Sequence, residues 1–156
     1  MNMSKSHNQS NQRNQNHSQQ NNASEYVSRE AKKYTQDIQL LLEIDTATTD
    51  NIKKGVDQVQ ELVKTNNTIT THQIRNIFKL VMDAKDIRDL NMIRPKLSYV
   101  SARQRGDDGK IIAQVVDDLI VNVTATKENK LEEKIKGLKY IMESIVAYHK
   151  FHVKER

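Results

Sequence analysis

Residues 111–123 read IIAQVVDDLIVNV, and the apolar side chains of this stretch recur every four residues. The repeating positions are Ile111 with Ile112, Val115 with Val116, Leu119 with Ile120, and then Val123. The end of the stretch is rich in β-branched residues, which favour strands. The four-residue repeat is nevertheless too long for one strand, and it predicts a helix with a broad buried face. This stretch therefore indicates a core built from aliphatic helices.

Helical spacing of apolar residues also occurs on both sides of this stretch. One series predicts a helix over about residues 25–43 and consists of Val27, Ala31, Tyr34, Ile38 and Leu41. The next predicts a helix that ends at residues 65–67 and consists of Ile52, Val56, Val59 and Val63. The last predicted helix, over about residues 128–153, has a seam of Leu131, Ile135, Leu138, Met142, Ile145 and His149. Because the seam covers only about three heptads, packing within one bundle is favoured over a coiled-coil dimer.

The best-defined helix start lies at Thr70. Thr70 and Gln73 have the spacing of a capping box, and Ile69 and Ile74 have that of a hydrophobic staple. The predicted buried stripe of this helix consists of Ile74, Ile77, Phe78 and Val81. Its opposite side carries His72, Arg75, Asn76 and Lys79.

The composition agrees with a single helical domain. The chain has 156 residues, of which one is proline, four are glycine and 4% are aromatic. We expect an all-α fold, a compact bundle of five to six helices, over residues 25–156. Residues 1–24 are mostly Asn, Gln and Ser and contain no Val, Ile, Leu or aromatic residue. They are predicted to form a disordered N-terminal tail.

Several kinds of site are excluded or disfavoured by the composition. The sequence contains no cysteine, which rules out disulfides and thiolate metal ligands. No apolar run approaches the length of a transmembrane helix, and the N-terminus lacks the apolar segment of a signal peptide. We therefore expect a cytoplasmic protein without a membrane partner. The net charge of +5 favours an anionic partner.

The segment that bears most on function is residues 90–106, LNMIRPKLSYVSARQRG. It contains no acidic residue and four cations, Arg94, Lys96, Arg103 and Arg105. Pro95 predicts a helix boundary or kink near residues 93–94. A helix is then expected to about Arg105, with Gly106 at its C-terminal end.

On a helical wheel the cations of this segment fall on two flanks. Arg94 and Arg105 share one flank, and Lys96 and Arg103 share the other. Tyr99 points away from the core, nearest the second flank. An outward tyrosine among cations is typical of a surface that stacks on bases and binds phosphates. The solvated face of an ordinary amphipathic helix has the same composition, so both interpretations stay open at this point.

Two cations of the preceding helix extend the candidate surface. Arg75 and Lys79 are four residues apart and therefore share a helix face. Asp83 follows Lys79 by four residues and is an alternative ion-pair partner for it.

Other polar clusters lack the pattern of a catalytic or metal site. His149 and His152 are three residues apart, but no third ligand accompanies them. The acidic pairs at residues 107–108 and 117–118 have no histidine or arginine suited to acid–base chemistry nearby. Phosphate-loop, dinucleotide and nucleophile motifs are missing as well. We expect no catalytic residue, no metal and no cofactor.

Three stretches resemble the small subunit of type III-A CRISPR effector complexes, the Csm small-subunit family. They are ITTHQIRNIFKLV at residues 69–81, RPKLSYVSAR at 94–103 and IVAYHKF at 145–151. The resemblance implies a small helical bundle without a catalytic site, stacked in several copies beside the subunits that hold the guide RNA. It also implies a basic surface along the guide–target duplex, carried by Arg75, Lys79, Arg94, Lys96 and Arg103. Arg105 lies just beyond the matching block, and residues 1–24 lie outside the resemblance.

The sequence thus predicts a non-catalytic, RNA-binding structural subunit of a type III-A CRISPR ribonucleoprotein, with a role in antiviral defence. Its expected partners are guide RNA, target RNA, other copies of itself, and the backbone and large subunits of the effector. One alternative is a helical adaptor whose basic face binds an acidic protein. A DNA-binding helix-turn-helix protein fits poorly, because Pro95 stands where a recognition helix needs base-reading residues.

Overall fold

The computed structural model describes the backbone of residues 7–103 and 105–153, and within these ranges the side chains from residue 22 onward. This part of the chain forms six α-helices and one 3₁₀ turn, without a strand. In chain order the elements are α1 (His7–Ile38), the 3₁₀ turn (Gln39–Glu43), α2 (Thr49–Thr65), α3 (Thr71–Asp83), α4 (Ile87–Ala102), α5 (Asp108–Thr124) and α6 (Glu128–His152). The all-α bundle predicted from the sequence is confirmed.

Helix α5 forms the centre of the bundle and packs against α1, α4 and α6. Every position of its four-residue repeat is buried, namely Ile111, Ile112, Val115, Val116, Leu119, Ile120 and Val123. Burying one such side chain contributes about 1.5–3 kcal/mol. The β-branched end of the helix stays helical because this burial, repeated along the face, outweighs a weak preference for strand.

The 3₁₀ turn is held between two glycines. A Cβ added at Gly55 of α2 would lie 2.5 Å from Cγ of Leu41. A Cβ added at Gly137 of α6 would lie 2.5 Å from the carbonyl oxygen of Leu41 and 2.6 Å from Cα of Leu42. Both leucines are buried. Helices α2 and α6 therefore approach the turn at positions that have no room for a larger residue.

Helix α3 begins where the sequence predicted. The hydroxyl of Thr70 accepts a hydrogen bond from the N–H of Gln73 at 3.2 Å. The Gln73 side chain accepts one from the N–H of Thr70 at 3.0 Å, which completes the capping box. Ile69 and Ile74, the predicted staple, are both buried. Helix α2 likewise ends at Thr65, within the break predicted at residues 65–67.

Of the boundary or kink predicted near residues 93–94, the boundary is wrong, and the kink stays a prediction. Helix α4 begins at Ile87, runs through Pro95 and ends at Ala102 rather than near Arg105. Its start is set by Asp86, whose carboxylate accepts a hydrogen bond from the N–H of Asp89 at 2.8 Å.

Pro95 is tolerated in α4 because it lies on the solvent side of the helix. Proline cannot donate to the carbonyl of Asn91, a loss that costs about 3 kcal/mol or more in a helix interior. Pro95 and Asn91 are both exposed, so water has access to that carbonyl. On the opposite side Leu90, Ile93 and Leu97 are buried and hold both halves of the helix on the core.

Helix α1 begins at His7, earlier than the sequence predicted. The Asn-, Gln- and Ser-rich stretch before residue 25 contains no proline or glycine to end a helix. Residues 1–6 of that stretch lie outside the described residues. The division of the chain into a disordered tail (1–24) and a bundle (25–156) stays a prediction.

Candidate nucleic-acid interface

The solvent side of α4 carries a continuous row of basic and apolar side chains, here called the α4 stripe. Its members are all exposed and follow at intervals of three or four residues: Arg88, Met92, Lys96 and Tyr99 within α4, and Arg103, the C-cap residue, whose backbone is still helical. This spacing places them on one helix face. At 1.5 Å per residue the stripe is about 22 Å long. None of its members is acidic, so the row presents three positive charges without an intervening negative one.

Tyr99 and Arg103 form the end of the stripe. The tyrosine is 64% exposed, and the guanidinium carbon of Arg103 lies 5.6 Å from the centre of its ring. This distance is within the range of a cation–π contact. The outward direction of Tyr99 and its position beside Arg103 confirm what the helical wheel predicted. An aromatic ring with a cation on it is suited to stacking on a base while a neighbouring phosphate is neutralised.

Arg94 faces a carboxylate rather than open solvent. Its Nε donates to Oδ1 of Asp117 at 2.8 Å, and its Nη2 donates to Oδ2 at 3.3 Å. The hydrogen bond to Asp117, and secondly the charge of that carboxylate, raise the pKa of the Arg94 guanidinium. This pair was not predictable from sequence spacing, because Asp117 belongs to α5 and lies 23 residues after Arg94 in the chain. Arg94 thus joins α4 to α5.

Arg105 lies outside α4, in the bend that precedes α5. The prediction that it shares a helix flank with Arg94 is wrong, because the helix ends at Ala102. Arg105 is exposed, and the next residue, Gly106, has a left-handed φ of 79°. A glycine adopts this conformation without strain, and it turns the chain sharply after Arg105.

Arg75 and Lys79 are exposed on α3, as predicted. Arg75 lines a groove between α3 and α6, together with Lys150 and Phe151 of α6. It therefore lies beside the end of α6 and is not a member of the α4 stripe.

Two further residues of this surface were missed by the sequence analysis. Arg88 and Met92 belong to the α4 stripe, but the predicted helix began after them. The signal that identifies them is the spacing of Asp86 and Asp89, which is typical of a helix N-cap followed by an acidic residue in the first turn.

The acidic residues near α5 have structural contacts. Asp108 accepts hydrogen bonds from the N–H and the hydroxyl of Thr68, at 3.1 and 2.8 Å. Asp118 accepts one from Nε2 of Gln114 at 2.9 Å. Burial raises the pKa of the Asp118 carboxyl, and the Gln114 hydrogen bond opposes part of that rise.

The two histidines of α6 have separate partners. His149 is buried, and its Nε2 donates to the carbonyl of Ile69 at 2.9 Å. Nε2 of His152 lies 2.9 Å from Nε2 of Gln60. In the described part of the chain no three histidine, aspartate or glutamate side chains are grouped as metal ligands. None of the described helices combines the length and the apolar character needed to cross a membrane.

The α4 stripe lies within a region that is shared with a known family. The family described as Csm2 Type III-A matches residues 46–155, a region that contains α2 to α6 and more than half of the chain. The chain belongs to the Csm2 Type III-A family. As a Csm2 family member it is a small subunit of a type III-A CRISPR effector complex, in which the other Csm subunits are its neighbours. No match was found among curated proteins or among solved structures.

The Csm2 match confirms the family that residues 69–81, 94–103 and 145–151 resembled. All three stretches fall within the matched region. The Csm2 small subunit is a structural component of its complex.

Proposed function

We propose that this Csm2-family subunit binds the backbone of RNA through the α4 stripe and Arg105. The observation that carries the proposal is the row of three cations and an exposed tyrosine on one helix face. Arg88, Lys96 and Arg103 each neutralise one phosphate, and Tyr99 packs against a base or a sugar. The proposed ligand is the duplex of guide and target RNA, whose sequence is read by base pairing while protein holds its backbone.

Arg94 supports this surface indirectly. The buried residues Leu90, Ile93 and Leu97 hold α4 on the core with Lys96 and Tyr99 toward solvent. The ion pair of Arg94 with Asp117 adds a second contact between α4 and α5 in this orientation. We therefore assign Arg94 a positioning role, in place of the direct RNA contact predicted from the sequence. The RNA contact predicted for Lys79 on α3 stays a prediction.

The subunit is proposed to have no catalytic role and to stack in several copies along the complex, beside the subunits that hold the guide. Family membership supports this arrangement. A helical subunit that presents one basic face can repeat along a duplex, because a phosphate backbone presents the same charge at each step.

A salt titration of RNA binding tests the proposal. Fluorescence anisotropy with labelled single-stranded RNA, duplex RNA and duplex DNA measures the affinity of the full chain at several salt concentrations. With four phosphate contacts, the slope of log K against log salt is expected to be about −3 for single strands. Lys96→Glu with Arg103→Glu should abolish binding of both RNA forms at moderate salt.

The matched control for charge is Lys64→Glu with Lys127→Glu. Both lysines are exposed and lie outside α4, and the pair changes the net charge by the same amount. If this control loses as much affinity as the stripe variant, the binding reflects net charge and the α4 stripe is only a solvated face. Wild type that binds no RNA at moderate salt would favour an adaptor for an acidic protein instead.

A further inference from the structure

A groove of about 510 Å³ lies between the first turns of α3 and the last turns of α6. Its apolar lining consists of Ile74, Val146, Phe151 and Val153. The buried His149 also lines it, and the hydrogen bond from this histidine to the carbonyl of Ile69 ties the end of α6 to the residue before α3. The groove is therefore a defined concave surface between two helices whose relative position is fixed.

Phe151 stands at this groove with 80% of its surface exposed, more than any other large apolar side chain in the described part of the chain. Its ring contacts His152 edge to face, with 4.8 Å between ring centres. His152 in turn contacts Gln60 of α2. A large exposed aromatic beside an apolar groove is typical of an interaction surface, because a partner that covers it buries a large apolar area.

The groove also has a positive charge. Arg75 of α3 and Lys150 of α6 both line it and are both exposed. No acidic residue is found among its described lining residues, and neither cation has an ion-pair partner within the described ranges 22–103 and 105–153. Apolar walls with two cations are complementary to an apolar side chain that is flanked by carboxylates.

We infer that this groove docks an acidic segment of another protein. The segment inserts an aliphatic or aromatic side chain between α3 and α6, and its carboxylates pair with Arg75 and Lys150. Charge complementarity indicates the acidic character, and the aliphatic walls indicate a protein rather than RNA. Ile74, Val146 and Val153 offer a base neither a ring to stack on nor a hydrogen bond to its edges, whereas they can pack against an aliphatic or aromatic side chain. The inference is independent of the α4 stripe, and it assigns Arg75 to a protein contact.

A peptide of matching chemistry tests the inference on the full chain. The probe is a hexapeptide with adjacent phenylalanine and leucine, flanked on each side by two glutamates, added up to millimolar concentration. In chain labelled at isoleucine and valine methyl groups, the NMR signals of Ile74 and Val146 should shift and saturate. Arg75→Glu with Lys150→Glu should weaken this binding about tenfold or more. Lys64→Glu with Lys127→Glu has the same total charge, changes residues that do not line the groove, and should bind like wild type.

Four results would overturn the inference. The first is that Ile74 and Val146 do not shift at millimolar peptide. The second is that a peptide with lysines in place of the glutamates shifts them equally. The third is that the Arg75 and Lys150 variant loses more affinity for single-stranded RNA than the Lys64 and Lys127 variant does, which would make the groove part of an RNA surface. The fourth is that wild type sediments as a dimer and Phe151→Ser restores the monomer, which would make a second copy the occupant.

Discussion

The guanidinium of Arg94 on α4 and the carboxylate of Asp117 on α5 form a two-point ion pair, with nitrogen–oxygen distances of 2.8 and 3.3 Å. Of the four cations between residues 90 and 106, this one is neutralised within the protein. The pair distinguishes Arg94, which is bound to α5, from the exposed Lys96 and Arg103, which are proposed to contact RNA. We therefore expect alanine substitutions of Arg94 and Lys96 to differ in their effects on thermal stability and on RNA affinity.

Arg94→Ala should lower the thermal midpoint slightly and weaken RNA binding less than Lys96→Ala does. The arginine side chain is 40% exposed, so loss of the pair is expected to cost about 1 kcal/mol or less. Thermal unfolding and RNA titration of the two variants measure both effects. An Arg94→Ala variant with an unchanged midpoint and the larger loss of affinity would show that Arg94 contacts phosphate directly.

Tyr99→Ala should weaken RNA binding, whereas Tyr99→Phe should not. The ring supplies the stacking surface and holds the guanidinium of Arg103, and neither contact needs the hydroxyl. Stacking on one base is worth about 1–3 kcal/mol by alanine substitution. Anisotropy titrations with single-stranded RNA give the ratio of affinities. Equal RNA affinities for Tyr99→Ala and wild type would mean that the α4 stripe binds RNA through its charges alone, without stacking on Tyr99.

Gly137→Ala should strongly destabilise the fold. Its new Cβ would overlap the backbone at Leu41 and Leu42, which cannot move as a side chain can. Overpacking of this kind costs about 1–3 kcal/mol and sometimes more. Gly106→Ala is the matched control, since nothing lies within 4 Å of its Cβ and only the left-handed φ is unfavourable, at about 1–2 kcal/mol. Denaturant unfolding that ranks Gly106→Ala as the more damaging change would contradict the close approach at Gly137.

Asp118→Asn should stabilise the protein at neutral pH. Burial raises the pKa of Asp118 in the folded state above its unfolded value. The protonated carboxyl of Asp118 therefore stabilises the folded state. This stabilisation is fully present at pH values below the unfolded-state pKa, and it is lost as the pH rises through the folded-state pKa. Asparagine keeps an oxygen that can accept the Gln114 hydrogen bond but carries no charge. The thermal midpoints of variant and wild type should differ at pH 7 and converge in acid; a difference that persists unchanged in acid would point to another cause.

Thr70→Ala should cost about 1 kcal/mol of stability, because the N–H of Gln73 loses its acceptor. Gln73→Ala removes the reciprocal hydrogen bond and should cost less, since Thr70 still caps the helix. Thermal unfolding of both variants gives the comparison. No effect of either change would mean that α3 does not depend on this capping box.

The parts of the fold that were predictable from the sequence are those set by local chemistry. The Thr70 cap and the repeat over residues 111–123 depend on neighbours within one or two turns, so the sequence alone identifies them. The course of α4 through Pro95 was not predictable in this way, because the proline is tolerated through burial of the opposite helix side. Helical spacing correctly predicted that Tyr99 is exposed. It could not predict the ion pair of Arg94, because its partner, Asp117, belongs to another helix.

The contact of Gly137 with Leu41 and Leu42 joins the first third of the chain to the last helix. During synthesis on the ribosome, the 3₁₀ turn emerges long before α6 does. Until α6 has emerged, the two leucines lack one of the helices that cover them and are exposed to association with other chains. A contact so distant in sequence also delays closure of the bundle after the local helices have formed. The emergence of α6, rather than the formation of any earlier helix, is thus the event that completes the packing around Leu41 and Leu42.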